Sequence, residues 1–494
     1  MKPVAPVSPG AELRLPRQTL AAGAIVLAAI GVYGSNSPER LLAYLLILFF
    51  ALLPAVLWVQ ARMPGVPVWP AAAGFYAMYF ALPIVRNQLS LAEYTDDEIL
   101  HGAATVALFL FIATASWRLV IARAPSQPST SDANLLTALQ IRRFVLIGLG
   151  AGIAFFAAVT MGWLDWLGSF FGLVRSIMLT AASAACYLAG HARGSGSLRG
   201  NAWAVTICGL GVMVLISLSS FFLSGAVVYP LSAMFGYVIT AKRIPWKMAI
   251  ASAALISILQ AGKGEMREKY WLSDANYGGV NSVFQAPELM IEWMETGLTA
   301  YVSGEVQSDV LERASLLHML LNVQRLTPQF IPFLEGESYS SLASTLVPRF
   351  IDPDKPASQV GMNLLNVHYG LQTIEATTVT AIAWGLIPEA YANYGDAGAL
   401  GIGLCLGLLC GALTRWSTGR SAVSSPTLAA IVGLALLINI EADATSLITT
   451  LFQSLMAVFI FFAIFRLLSG ETQLKRERAV SDACTGVANL VGVA

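Results

Sequence analysis

Residues 41–60 read LLAYLLILFFALLPAVLWVQ, twenty positions without one charged side chain. A helix rises 1.5 Å per residue, so this stretch covers about 30 Å, the hydrocarbon thickness of a bilayer. Eleven further apolar runs lie around it, near 18–34, 66–85, 99–118, 143–162, 166–190, 202–220, 221–241, 246–262, 397–415, 425–443 and 446–468. The first follows Arg14 and Arg17 without a clear small-x-small cleavage site and reads as an anchor. The whole chain of 494 residues is 56% hydrophobic and 12% charged, with a mean hydropathy of +0.67. A soluble fold of this size has too little polar cover for that composition. Twenty-nine bases against 29 acids exclude nucleic-acid binding by bulk charge. The expected fold class is an all-α polytopic membrane protein with about twelve transmembrane helices.

Lys and Arg set the expected orientation, because they collect in cytoplasmic segments. With the N-terminus inside, the inside segments hold 19 of the 29 bases and only five acids. The short outside loops hold only Arg40 and Arg86. An even number of spans returns the C-terminal tail, with Lys475, Arg476 and Arg478, to the cytoplasm. The net charge of zero is therefore the sum of a basic inner face and an acidic outer one.

The expected division is transmembrane helices over 1–262, a large outer loop over 263–396, further helices over 397–468 and a cytoplasmic tail over 469–494. The loop carries seven bases and sixteen acids and has enough Leu, Met, Trp and Tyr to pack. Pro287 opens a helix near 287–302, and a second runs near 306–326, stopping before Pro328. On that second helix Arg313 projects from the centre of the stripe formed by Val310, Leu316, Leu317, Leu320 and Leu321. A guanidinium there needs an anion, either a loop carboxylate or an anionic ligand.

Other charges stand against expectation. Lys263, Arg267 and Lys269 lie just outside the ninth run, where bases are disfavoured; they either snorkel to headgroups or hold an anion such as a lipid pyrophosphate. Arg325, Arg349 and Lys355 follow on the same side. Arg175 falls inside the sixth run, as a functional group or a partner for a neighbouring helix. Glu441 and Asp443, at the outer end of the eleventh run, are candidate partners for Arg175 or the loop bases. Residues 379–388 are too short to span; a re-entrant or interfacial helix there places Glu389 at the membrane surface beside a cavity, as a general base or as a cap or ion-pair partner.

Several signals fail. Gly262-Lys263-Gly264 lacks the first glycine and the Ser or Thr of a phosphate loop. His101, His191, His318 and His368 are scattered, so no zinc site is expected. Asp352-Pro-Asp354 reads as a rigid turn rather than a metal pair. Cys186, Cys208, Cys405, Cys410 and Cys484 all lie outside the loop and imply no disulfide framework there. Gly403, Gly407 and Gly411 make a Gly-x-x-x-Gly face suited to close helix packing.

The outer segment resembles the Wzy-type O-antigen and exopolysaccharide repeat-unit polymerases. The stretches that carry the likeness are Glu312-Arg313-Ala-Ser, Pro328, Gly336-Glu-Ser-Tyr339, Pro348-Arg349, Asp352-Pro-Asp-Lys355-Pro356 and Pro388-Glu389-Ala-Tyr391-Ala-Asn393-Tyr-Gly395-Asp-Ala-Gly398, with Arg325 and Gly336 in an Arg-x10-Gly spacing. The likeness does not extend to the first eight runs. It implies a membrane glycosyltransferase of the C-type fold, without metal or cofactor, in the bacterial inner membrane. Donor and acceptor would be undecaprenyl-pyrophosphate-linked glycans, with a chain-length regulator as a possible partner. On that resemblance Arg313, Arg349 and Arg267 neutralise the departing pyrophosphate, and Lys263, Arg325, Lys355, Tyr339 and Arg175 assist in binding. Glu389, ahead of His368, would take the acceptor proton. An O-antigen ligase and a flippase or transporter of lipid-linked sugars are the alternatives.

Overall fold

The computed structural model describes residues 17–60, 65–123, 138–218, 221, 223–241, 243–271, 285–303, 315–349, 351–379 and 381–463. Arg313, Cys484 and the tail 469–494 lie outside the described residues. Within them the chain is helical and no strand occurs. The helices are α1 (Arg17–Gly34), α2 (Pro38–Gln60), α3 (Val68–Val85), α4 (Asp96–Ala122), α5 (Ala138–Thr160), α6 (Phe171–Gly194), α7 (Asn201–Leu218), α8 (Leu223–Ala241), α9 (Trp246–Trp271), α10 (Ala286–Ser303), α11 (Leu316–Leu326), α12 (Val360–His368), α13 (Leu386–Ser417), α14 (Ser425–Leu437) and α15 (Ala444–Ala463). Each of the twelve apolar runs falls on one of these. Eight (α2 to α7, α13 and α15) are long and apolar enough to cross a membrane. The apolar parts of α1, α8 and α14 are shorter, and α9 carries charge over its last turns. The molecule is a multi-pass membrane protein by this criterion.

Local chemistry fixes the ends that matter. Thr95 caps α4 by accepting from the Glu98 backbone N–H at 3.3 Å, while the Glu98 carboxylate accepts from the Thr95 N–H at 2.7 Å. This reciprocal cap satisfies two donors the helix would otherwise leave bare. Asp96, Asp97 and Glu98 also place negative charge at the positive end of the helix dipole.

The main contact of the bundle joins α4 to α13. Thr105 Oγ1 donates to Asp396 Oδ1 at 2.7 Å at one end, and Trp117 Nε1 donates to Thr414 Oγ1 at 3.3 Å at the other. The two helices therefore run parallel. A Cβ on Gly403 would lie 2.9 Å from the Phe109 carbonyl oxygen, one on Gly411 2.8 Å from Val120 Cβ, and one on Gly407 directly on Ala113 O and Ser116 Oγ. The glycine stripe thus lets backbones touch, as its spacing anticipates. α6 and α8 also run parallel, with Gly190 and Gly236 each pressed against the facing backbone.

The segment read as one outer loop, 263–396, begins and ends inside helices. α9 continues without a break from the apolar run through Lys263 and Arg267 to Trp271. α10 folds back along it antiparallel: Trp293 Nε1 donates to the Leu259 carbonyl at 2.7 Å, and Tyr301 meets Ser257. The hairpin buries a separate small cluster, with Phe221, Leu259, Met266 and Trp293 at its centre. At the other end, residues 386–396 belong to α13, which bends at Tyr394 and Gly395, where φ is +60°. Arg175 also differs from expectation. A 3-10 turn over Asp165–Phe170 delays α6 to Phe171, so Arg175 stands in its second turn, exposed, and makes no ion pair among the described residues.

Candidate functional site

The segment leading into α13 is tied to the bundle at a buried polar knot. α13 starts at Leu386, which puts Glu389 in its first turn and Asn393 one turn later on the same face. The Ser338 hydroxyl donates to Glu389 Oε1 at 2.9 Å, and the Ala444 N–H, first in α15, donates to Glu389 Oε2 at 2.7 Å. The Asn393 side-chain amide donates to Ser338 Oγ at 2.9 Å and to the Glu389 carbonyl at 2.8 Å, while its oxygen accepts from the Gly336 N–H at 2.9 Å. Glu389 and Asn393 are each 0% exposed. The carboxyl group thus sits at two helix N-termini and satisfies an N–H that the start of α15 would otherwise leave bare.

This corrects the expected place of Glu389. It is fully buried rather than open to a cavity, and no base forms an ion pair with it among the described residues. Both its oxygens are engaged, one by a hydroxyl and one by a backbone amide, so it closes the knot. Asp443 is equally buried and precedes Ala444. Its carboxyl faces Thr445 and Ser446 in the first turn of α15, though neither oxygen reaches full hydrogen-bond geometry. Burial raises its pKa above the usual carboxylate range. Glu441 neighbours Tyr79. Neither acid forms an ion pair with Arg175 or a loop base among the described residues. Tyr339 packs beside the knot; burial, then the neighbouring Glu389, pushes its hydroxyl up.

The bases sort into two groups. Arg325 forks onto Glu98 at 2.9 and 3.1 Å, donates to the Glu93 carbonyl at 2.8 Å and lies 4.0 Å over the Tyr94 ring. The Glu98 carboxylate raises its pKa. Arg325 therefore clamps α11 to the start of α4 and is not a phosphate ligand in this arrangement. Lys269 pairs with Glu292 across the hairpin, and Arg267 donates to the Phe221 carbonyl at 3.1 Å. Lys263 is half-buried in α9 and engaged in interactions of its own.

Arg349 and Lys355 behave differently. Lys355 is mostly buried, and its ammonium donates to the Thr345 and Val347 carbonyls at 2.7 and 2.5 Å. Arg349 is exposed, with one long contact of 3.5 Å to the Pro353 carbonyl. Lys355 has a lowered pKa, first from burial and then from Arg349, against a smaller opposing pull from Asp352. Two positive charges share one turn, and neither has a carboxylate at ion-pair distance among the described residues.

His368 closes α12, half-exposed, with Nε2 3.2 Å from the Pro332 carbonyl. When Nε2 carries the proton it donates there and leaves Nδ1 as a free acceptor. No group of three or more His, Cys, Asp or Glu able to hold a metal occurs among the described residues. The structure joins Tyr339 to Glu389 and Arg349 to Lys355, and it sets Arg325 apart, clamped from α11 onto the first turn of α4. Ser338 and Asn393 complete the knot and were given no role from sequence, while Asp443, expected as a partner for Arg175 or a loop base, lies beside Glu389 instead. The spacing of Glu389 and Asn393, four residues apart, was the available signal. Comparison with protein-family models, curated proteins and solved structures gave no match.

Proposed function

We propose that this chain is a membrane glycosyltransferase that polymerises undecaprenyl-pyrophosphate-linked repeat units at the outer face of the bacterial inner membrane. The carrying observation is the Arg349–Lys355 turn. Asp352 and Asp354 stand in the same turn, yet no carboxylate comes within ion-pair distance of either base among the described residues, so the exposed Arg349 guanidinium is left able to meet a pyrophosphate. Lys355, fixed by two carbonyls, orients the turn; Arg349 projects and is free to fork onto phosphate oxygens. In the proposed step an acceptor hydroxyl attacks the anomeric carbon of the donor. The bond to the pyrophosphate oxygen breaks with its electron pair, and Arg349 with Arg313 neutralises the leaving group. The hydroxyl proton passes to a base, for which half-exposed His368 is better placed than enclosed Glu389.

The topology proposed is twelve spans with a C-type glycosyltransferase arrangement and both termini cytoplasmic. Parallel packing of α4 and α13 agrees with it, because an odd number of crossings must separate them, and five over α5 to α9 would meet that condition. The test is the purified chain in proteoliposomes with lipid-linked repeat units, read as a polymer ladder. Arg349→Ala removes the ladder and Arg325→Ala leaves it. A full ladder from Arg349→Ala defeats the reading. Transbilayer movement without polymer would identify a transporter, and transfer only to lipid A core sugars a ligase.

A further inference from the structure

The opposite end of the α4–α13 pair carries a second feature. There Val120 of α4 and residues 409–420, at and just past the end of α13, line an open-sided cleft of about 460 Å³. Val120, Leu409, Leu413 and Trp416 give it apolar walls, and Arg415 and Arg420 line it as well, Arg420 half-buried and engaged in an interaction of its own. Arg415 is exposed and makes no ion pair among the described residues. Trp416 is half-open and packs on Phe459 of α15 at 5.4 Å between ring centres. Arg118 and Arg123, both exposed, end α4 on the same side, and neither 116–123 nor 408–424 contains an acid.

Apolar walls, an interfacial tryptophan and two lining arginines together match one molecule, a glycerophospholipid with an anionic headgroup. We propose that this cleft is a binding site for an anionic phospholipid of the cytoplasmic leaflet. Its acyl chain lies along Val120, Leu409 and Leu413, and its phosphodiester sits on Arg415 and Arg420. The Lys and Arg bias places this end of the bundle on the cytoplasmic side, where basic pockets between spanning helices take up anionic headgroups. The site lies at the far end of the helices from the Arg349 turn and does not depend on the glycosyl-transfer reading.

Native mass spectrometry of the detergent-purified full-length chain tests this, with phosphatidylglycerol and phosphatidylethanolamine offered in equal amounts. The wild type should retain phosphatidylglycerol in preference. Removing both basic contacts in Arg415→Gln/Arg420→Gln should lower that retention about tenfold. Arg415→Gln alone should lower it about threefold, and since Arg415 holds no ion pair the single variant keeps its melting temperature. Arg415→Lys/Arg420→Lys should retain most binding. Millimolar inorganic phosphate should not displace the lipid, because it leaves the apolar walls unfilled. Equal retention of the two lipids, undiminished binding by both Gln variants, or displacement by inorganic phosphate would each overturn the proposal.

Discussion

Glu389→Ala separates a structural carboxylate from a catalytic one. The substitution leaves the Ser338 hydroxyl and the Ala444 N–H without their acceptor inside a fully buried knot. Each stranded donor costs about 1–3 kcal/mol, so the loss is about 2–6 kcal/mol. Native stability is commonly only about 5–15 kcal/mol, so this is a large share. At about 2 °C per kcal/mol for a large domain, the apparent Tm in detergent should fall by about 4–12 °C. Glu389→Gln keeps one acceptor oxygen and should recover about half of that loss. Thermal unfolding followed by intrinsic fluorescence, with size-exclusion profiles as the check on folding, reads the shift. A Glu389→Ala protein that melts within 2 °C of wild type would refute the argument that these two hydrogen bonds hold the knot together.

Three further outcomes follow from the same contacts. Gly407→Leu drives a side chain into Ala113 O and Ser116 Oγ, so it should cost about 1–3 kcal/mol or more and lower the yield of folded protein, whereas Gly401→Leu, with open space around its Cβ, should not. Arg325→Ala removes an ion pair whose partners are about one-third exposed, so screening limits the loss to about 1 kcal/mol; a Tm shift above about 4 °C would show that the clamp carries more. Asp443 has a raised folded-state pKa, so its contribution is fully present below its unfolded value and is lost as pH rises through the folded one. Asp443→Asn, which keeps a good helix cap, should therefore flatten the acid-to-neutral decline in melting temperature; an unchanged profile would contradict the assignment.

Much of the fold was legible because it rests on length and composition. Twenty uncharged apolar residues make a helix wherever water is absent, since every backbone group must then bond within its own segment. The Gly403, Gly407, Gly411 stripe likewise showed its purpose, because close packing needs only small residues at a fixed spacing. Pro287 and Pro328 bracketed the loop helices for equally local reasons, and the structure begins α10 at Ala286 and ends α11 at Leu326.

The site was less legible, because a charge in sequence shows that a partner is needed without showing which. Arg325 looked like a phosphate ligand until the fold brought α4's first turn to it, more than two hundred residues away in sequence. Glu389 follows a short apolar stretch and was expected at the membrane surface beside a cavity, yet α15 and the Ser338 turn close over it. By itself the sequence determined that the chain is a bundle of membrane helices and which bases stand against the topology. Only tertiary structure decided which of those bases are already neutralised, since electrostatic partnership falls off within a few ångströms and depends on contacts between remote segments. That is why Arg349 and Lys355, two of the nine bases assigned to the outer face, now stand out as the pair to mutate.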